Sequence, residues 1–199
     1  MLLFKRKSGF LFIREMERTD ICWQPAVSVI YIIYCSQDFW RNGHLRDQSY
    51  ILYQENFFND IRKFLGKTVL DYGCGNNHIL SDIIEKNGYN SSYYDLYFYP
   101  DVNYKKARYD AIILEEVIEH LSNPLEVLNE LVTLLNNNGN LIIRTQFIPK
   151  DLLNKKWWYL RDITHISFFN FSTFKYLSKL LSLQIIYCNE KDLIILKKA

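Results

Sequence analysis

Hydrophobic residues recur along this chain with two different spacings, and the two spacings alternate from about residue 50 onward. Short runs of apolar, β-branched and aromatic residues predict buried strands. Apolar positions three or four residues apart predict helices that bury one face. The predicted strands are 68–72, 92–95, 110–114 and 141–145. The predicted helices are 50–65, 78–86, 124–135 and 172–181. Strands that alternate with helices predict an α/β fold with a doubly wound, mostly parallel sheet.

The pattern departs from regular alternation in the middle of the chain and near its end. Only 14 residues separate Asp95 from Asp110, which is too few for a further strand and helix with their loops. We therefore expect the middle strand–helix unit to be shortened or lost. The runs 184–187 and 193–196 predict a C-terminal antiparallel hairpin, and the asparagine-rich segment 136–140 predicts a turn.

A glycine-containing turn, Asp71-Tyr-Gly73-Cys-Gly75, follows the first predicted strand. Glycine lets the backbone approach a ligand closely, and the amides that open the next helix offer hydrogen-bond donors. Asp95 ends the second strand, where a carboxylate can accept hydrogen bonds from a ribose. A dinucleotide site would have a third glycine where His78 stands. The two acids and two glycines therefore favour S-adenosylmethionine over a nicotinamide cofactor.

From about residue 50 to the C-terminus, the chain resembles the class I S-adenosylmethionine-dependent methyltransferases, in particular small bacterial enzymes of the ubiquinone-methylase-like type. Besides the glycine turn, the resemblance includes the segments 109–121 and 157–169. It implies a Rossmann-like sheet of the class I methyltransferase type. The residues implied to bind the methyl donor are Asp71, Gly73, Gly75, Asp95 and Glu115.

The glycine turn departs from the family pattern at one position, because the family often has a further glycine where Asn77 stands. Asparagine tolerates the left-handed conformation better than most residues do. We therefore expect Asn77 to preserve the turn, and the affinity for the cofactor is the property that this departure affects.

A second group of residues has the spacing of a metal site. Glu116, Glu119 and His120 are three and four residues apart, which would place them on one face of a helix after the strand 110–114. Carboxylates with an imidazole suit a divalent cation such as Mg²⁺ or Mn²⁺. The set resembles the metal site of small-RNA 2′-O-methyltransferases and of ubiquinone-pathway O-methyltransferases. By that resemblance the ligands would be Glu116, Glu119, His120 and His165.

A reading without metal remains open for the same residues. A glutamate–histidine pair at this place also occurs in methyltransferases that use no metal, where the histidine forms hydrogen bonds within the protein. Glu116 would then pair with Arg161, and His165 would act as a general base or orient the neighbouring loop. His165 and Glu116 are the predicted catalytic residues in either case.

An aromatic segment near the C-terminus predicts the acceptor pocket or, as the alternative, a packed core under a long loop. The predicted pocket residues are Trp157, Trp158, Tyr159 and Phe168. A weakly charged mouth with aromatic walls favours a planar or lipophilic small-molecule acceptor.

Composition and charge narrow the choice of partners and location. Net charge is only +2, so an electrostatic surface for nucleic acid is not expected, which makes an RNA terminus the less favoured acceptor. No run approaches the roughly 20 apolar residues of a membrane span, and no signal peptide is evident. The four cysteines form no Cys-x-x-Cys pair, so neither a disulfide framework nor a zinc ribbon is expected. A reduced, cytoplasmic location follows, and nothing indicates the oligomeric state.

We predict two regions: an N-terminal extension over 1–48, with a degenerate zinc-ribbon remnant around 31–39, and a methyltransferase domain over 49–199. The predicted activity is S-adenosylmethionine-dependent methylation, most simply of an oxygen atom of a small molecule. Two alternatives remain: a degenerate, non-catalytic binding module of the same fold, and methylation of an RNA terminus.

Overall fold

In the computed structural model of the protein, the described residues are 2–5 and 11–14 as backbone, and 47–150 and 157–199 with side chains. The strands are β1 (Leu2–Lys5), β2 (Leu11–Arg14), β3 (Thr68–Tyr72), β4 (Asn90–Tyr94), β5 (Tyr109–Glu115), β6 (Leu135–Arg144), β7 (Ser167–Phe168), β8 (Leu183–Cys188) and β9 (Leu193–Lys198). The α-helices are α1 (Gln48–Ile61), α2 (Ile79–Lys86), α3 (Pro124–Leu134) and α4 (Phe171–Leu180). Short 3₁₀ helices cover Arg62–Phe64, Val102–Lys106, Ile118–His120 and Trp158–Arg161.

Six strands form the main sheet in the order β4-β3-β5-β6-β9-β8. The four strands from β4 to β6 are parallel, and β9 and β8 are antiparallel to their neighbours. The predicted doubly wound, mostly parallel sheet with a C-terminal hairpin is therefore confirmed. Because the strands are parallel, β3, β4, β5 and β6 all end at the same edge of the sheet.

The middle of the chain is shortened, as its length predicted. Between β4 and β5 there is one 3₁₀ helix and a bridge that pairs Asp95 with Tyr99, and β4 is the outer strand of the sheet. The segment therefore lies next to Asp95 and adds no strand beyond β4, the outer strand of the sheet.

Apolar side chains fill both faces of the main sheet. Along β5, Ile112 and Leu114 pack toward α3 and α4, while Ala111 and Ile113 pack toward α1 and α2, and all four are fully buried. This alternation is expected of a strand, since successive side chains point to opposite faces. Since helices cover both faces, the carboxyl ends of the parallel strands are the part of the sheet at which a ligand site is expected.

The turn predicted over 136–140 is wrong, because β6 already begins at Leu135. Leu135 pairs with Tyr109, and the pairing shifts by an irregularity before Asn140 pairs with Ala111. The amide of Asn136 donates to Asp110 across this shift, at 2.8 Å. That bond keeps the segment along β5 while the left-handed Asn138 (φ 63°) absorbs the extra length.

The N-terminal strands β1 and β2 form a second sheet with β7, in the order β2-β1-β7, which the sequence did not predict. The sequence also favours a short helix over 14–18 and a strand over 27–34. Apart from Arg14, which ends β2, these segments and the zinc-ribbon remnant at 31–39 lie outside the described residues. The domain boundary at residue 48 stays a prediction. Among the described residues, no helix has the length and hydrophobicity needed to cross a membrane.

Candidate active site

The glycine turn lies at the end of β3 and leaves open space on one side. Gly73 (φ 87°) has no room for a side chain, since a Cβ atom there would lie 2.4 Å from Cγ2 of Val117. Gly75 (φ 67°) differs, because no atom lies within 4 Å of the place that its Cβ would occupy. Both glycines adopt a conformation that other residues rarely take. The turn therefore keeps room for a ligand beside Gly75.

The residue that takes the left-handed conformation before α2 is His78 (φ 38°). The expectation that Asn77 would take this conformation is therefore wrong, although the turn itself is present. Two contacts hold the His78 ring in place. It stacks on Tyr93 with ring centroids 4.5 Å apart, and its Nδ1 lies 2.9 Å from Oδ1 of Asp82. A further hydrogen bond holds the backbone of the turn, from the Tyr99 hydroxyl to the Asn76 carbonyl at 2.9 Å. These contacts hold the glycine turn although it has no third glycine.

Asp95 lies beside the turn, as predicted from its place at the end of β4. Its Oδ2 accepts a hydrogen bond from the amide of Gly75 at 3.1 Å, and its Oδ1 accepts from the amides of Tyr97 and Phe98 at 2.9 and 3.1 Å. The carboxylate thus ties the turn to the next loop, and it faces the ligand space from the outer strand.

Asp71 is a buried carboxylate with one unpaired oxygen. The residue is 3% exposed, and its Oδ2 has no hydrogen-bond partner in the described part of the chain. Burial raises the pKa of Asp71 to about 8, and repulsion from Glu115 and Asp95 contributes to that rise. A buried acceptor of this kind requires a donor or a cation. The turn, Asp71 and Asp95 therefore fit a polar ligand such as S-adenosylmethionine.

Glu115 ends β5 next to the turn and forms an ion pair with Arg144. Arg144, at the end of β6, lies 3.3 Å from Glu115 and 3.5 Å from Asp192, and its guanidinium is 4.7 Å from the centre of the Tyr53 ring. Burial raises the pKa of Glu115 to about 7. Sequence reasoning missed Arg144, although its place at the end of a predicted strand was a signal.

A group of three potential metal ligands lies near the loop that follows β5: Glu119, His120 and His165. One oxygen or nitrogen atom from each lies within 4.8 Å of the others. Nδ1 of His120 lies 3.1 Å from the Thr164 carbonyl, and Nδ1 of His165 lies 2.9 Å from the Tyr159 carbonyl. A carbonyl only accepts, so each Nδ1 carries a proton and Nε2 is the ring atom left to face a ligand; Nε2 of His165 also lies 3.7 Å from Oδ2 of Asp162.

Burial shifts the pKa values of His120 and Glu119 in opposite directions. Burial and the neighbouring His165 lower the pKa of His120 to about 4, which leaves its imidazole neutral at pH 7. Glu119 is fully buried, and its Oε2 has no partner among the residues that the structure describes. Burial and the neighbouring Glu116 raise the pKa of Glu119 well above its usual range, so a bound cation would take the place of that proton. A neutral His120 and a carboxylate oxygen without a hydrogen-bond partner are ligands that suit a divalent cation.

Glu116 is not one of the three converging ligands, although a shared hydroxyl links it to Glu119, and the expected helical face is wrong. Glu116 lies in a left-handed turn (φ 52°), and only a 3₁₀ helix, Ile118–His120, follows it. Its Oε2 accepts from the Tyr159 hydroxyl at 2.8 Å, and the same hydroxyl hydrogen-bonds Oε1 of Glu119. The chain leaves the strand through a tight turn rather than an α-helix, so i, i+3 and i+4 do not share a face here.

The predicted aromatic pocket is corrected for two of its four residues. Tyr159 and Phe168 are 0% and 1% exposed and pack together, with Trp157 at their side, so they form a small core and present no surface to a ligand. Trp158 is 60% exposed and can contact an acceptor. The core packs Tyr159 so that its hydroxyl reaches inward to the carboxylates, a role that hydrophobic patterning did not reveal.

A model of the methyltransferase domain family matches residues 46–186 of this chain. The chain is also similar to two tRNA U34 carboxymethyltransferases. That of Campylobacter concisus (strain 13826) is 29% identical over 152 residues, which are 61% of this chain and 53% of the relative. That of Campylobacter fetus subsp. fetus (strain 82-40) is 26% identical over 142 residues, 56% and 50% of the two chains. The chain spans about half the length of these curated relatives.

Solved structures with the same fold include a 1,6-didemethyltoxoflavin-N1-methyltransferase from Burkholderia thailandensis, with bound 1,6-didemethyltoxoflavin and S-adenosylhomocysteine. It has a TM-score of 0.60 at 11% identity, over 94% of this chain and 98% of that one. An S-adenosylmethionine-dependent methyltransferase from Archaeoglobus fulgidus has a TM-score of 0.56 at 19% identity, over 83% and 99%. At these identities the likeness shows the fold alone. With the family match, the sheet order and the glycine turn between two acids, the chain belongs to the class I S-adenosylmethionine-dependent methyltransferase family.

Proposed function

We propose that this chain transfers the methyl group of S-adenosylmethionine to a hydroxyl oxygen of a small molecule, with a divalent cation, Mg²⁺ or Mn²⁺, at the acceptor side. The observation that carries the proposal is the buried group of Glu119, His120 and His165, whose ligand atoms converge within 4.8 Å. Oxygen and imidazole ligands of this kind suit a cation that binds acceptor oxygens.

The donor side of the proposal uses the residues around the glycine turn. Gly73 and Gly75 would let the backbone approach the donor, Asp95 would accept from its ribose, and Asp71 and Glu115 would face its amino-acid part. S-adenosylmethionine supplies an electrophilic methyl group. Since methyl transfer is an in-line displacement, the main task of these residues is to hold the donor in line with the acceptor.

On the acceptor side, Glu119, His120 and His165 would hold the cation, which would lower the pKa of the acceptor hydroxyl and fix its direction. Glu116 is a proposed proton acceptor rather than a ligand. It lies between Glu115 and Glu119 in sequence, hydrogen-bonds Tyr159, and its pKa is raised by burial. A raised pKa suits a carboxylate that takes a proton near neutral pH.

A second candidate acceptor is the terminal ribose of an RNA, whose neighbouring hydroxyls could also reach a cation. The names of the two curated relatives favour an RNA as the acceptor without pointing to its terminus, and a base could stack on the exposed ring of Trp158. The edge where the strands end is rich in carboxylates, which favours the small molecule.

The test is methyl transfer from labelled S-adenosylmethionine to two acceptors, catechol and a short RNA, with Mn²⁺ or with a chelator. We expect methylated catechol, with the product lost on chelation and in Glu119→Gln. Transfer to the RNA alone would select the second candidate. Transfer to catechol that neither chelation nor Glu119→Gln reduces would contradict the role of the cation.

A further inference from the structure

The side chain of Gln54, in the middle of α1, is buried next to the donor site with an unpaired oxygen. Gln54 is 3% exposed, and its Nε2 donates to the hydroxyl of Tyr50 at 3.1 Å. It also forms a side-chain hydrogen bond with Glu115. Its Oε1 has no hydrogen-bond partner within the described ranges. A buried polar atom without a partner is uncommon in folded proteins and points to a ligand.

The orientation of this amide follows from its neighbour. The Nε2 group of Gln54 donates to Tyr50 and is the part of the amide that can also donate to an ionised Glu115. The carbonyl oxygen of the amide is consequently the atom left without a donor.

Asp71 supplies a second buried acceptor, Oδ2, that has no hydrogen-bond partner among the described residues. Tyr50 lies close enough to both Glu115 and Asp71 for the two carboxylates to act on it electrostatically, and Gln54 contacts Tyr50 directly. The region thus contains carboxylate and amide acceptors. A group with several N–H donors and a positive charge satisfies such a set, and a primary ammonium is that group.

We propose that Gln54 binds the α-ammonium group of the methionine part of S-adenosylmethionine, together with Asp71. This rests on the donor site of the proposed function. Helix α1 would thereby recognise whether an adenosine thioether carries its amino-acid part, and would select the methyl donor and its product over shorter thioethers.

Two probes separate this role from general binding at the turn. S-adenosylhomocysteine has the amino-acid part, whereas 5′-methylthioadenosine has the same adenosine and sulfur without it. Calorimetric titration should show that Gln54→Met weakens the binding of S-adenosylhomocysteine about tenfold or more and leaves the affinity for methylthioadenosine unchanged. The matched control is Asn140→Leu, because Asn140 also has a buried unpaired amide oxygen, in β6 at the position that pairs with Ala111 of β5. It should leave both affinities unchanged.

The outcomes distinguish this inference from the proposed function. If Gln54→Met binds both probes as the wild type does, or weakens both equally, Gln54 does not read the amino-acid part and the inference falls alone. If the wild type binds neither probe, the proposed donor site is refuted together with the inference about Gln54. A measurement on the wild type needs no variant to fold: the analogue of S-adenosylhomocysteine without its α-amino group should bind about tenfold more weakly or worse. Equal affinity would overturn the inference.

Discussion

The hydroxyl group of Tyr159 forms a hydrogen bond with the carboxylate of Glu119 in the interior of the protein, where both side chains are fully buried. The same residue accepts a hydrogen bond at its backbone carbonyl from Nδ1 of His165. Tyr159 therefore orients two of the three proposed cation ligands. Its hydroxyl occupies Oε1 of Glu119 and leaves Oε2 directed away from that bond.

Replacement of Tyr159 by phenylalanine should weaken Mn²⁺ binding, since the carboxylate of Glu119 loses the bond that orients it. Loss of a partner that orients a metal ligand typically costs about 10–100-fold in metal affinity. The control is Tyr104→Phe, which removes a similarly buried hydroxyl that donates to Glu130 at 3.1 Å. Calorimetry with Mn²⁺ should find Tyr104→Phe unchanged. Equal or tighter binding by Tyr159→Phe would refute the orienting role.

Alanine at Gly73 should disrupt the donor site beyond the cost of its backbone conformation. Gly73 and Gly88 have nearly the same φ, 87° and 88°, but only at Gly73 would a Cβ meet another side chain, that of Val117 at 2.4 Å. Gly73→Ala and its control Gly88→Ala should each lose about 1–2 kcal/mol of folding stability to left-handed strain. Gly73→Ala should lose about 1–3 kcal/mol more from the clash. Urea unfolding and titration with S-adenosylhomocysteine measure both effects. Equal stability and affinity in the two variants would exclude the close packing at Gly73.

The stability of the protein without ligand should fall as the pH rises from about 6.5 to 8.5. The folded protein holds Asp71 at a pKa of about 8 and Glu115 at about 7, mainly through burial, whereas both groups ionise near pH 4 in the unfolded chain. The folded state therefore binds protons that the unfolded state has lost. His120, with its pKa lowered to about 4, has the opposite effect only below about pH 6.5.

Thermal unfolding across this range checks the sign. The melting temperature should fall with pH in the wild type and should fall less in Asp71→Asn, which cannot ionise at this position. A melting temperature that rises across the range, or one with the same slope in the variant, would contradict the buried state of Asp71.

The sequence predicted the part of the fold that rests on local periodicity. The run 68–72 was both apolar and followed by glycines, so the bounds of β3 were predicted correctly, and the short interval after Asp95 predicted the shortened middle. The failures occurred where distant contacts decide the conformation. The segment after Leu135 contains turn-forming residues and bulges at the left-handed Asn138, yet its pairing with β5 and the bond between Asn136 and Asp110 keep it within β6.

The candidate site shows the same division. Asp71, Asp95 and Glu119 were predicted as site residues from residue type and spacing, and His165 from the family resemblance. Asp71 and Asp95 lie at one edge because parallel strands end together. The partners of these residues could not be found in that way. Gln54 looks like an ordinary polar position of an amphipathic helix, and Tyr159 looks like part of an aromatic wall; only the fold reveals what each side chain touches.

The most direct test of the account is the binding of Mn²⁺ to the purified protein, followed by the electron paramagnetic resonance signal of the free ion. We expect saturable binding at one site per chain, lost in Glu119→Gln and retained in Glu126→Gln, which changes an exposed glutamate in the first turn of α3. Binding that is absent from the wild type, or equally strong in Glu119→Gln, would contradict a cation site at Glu119, His120 and His165.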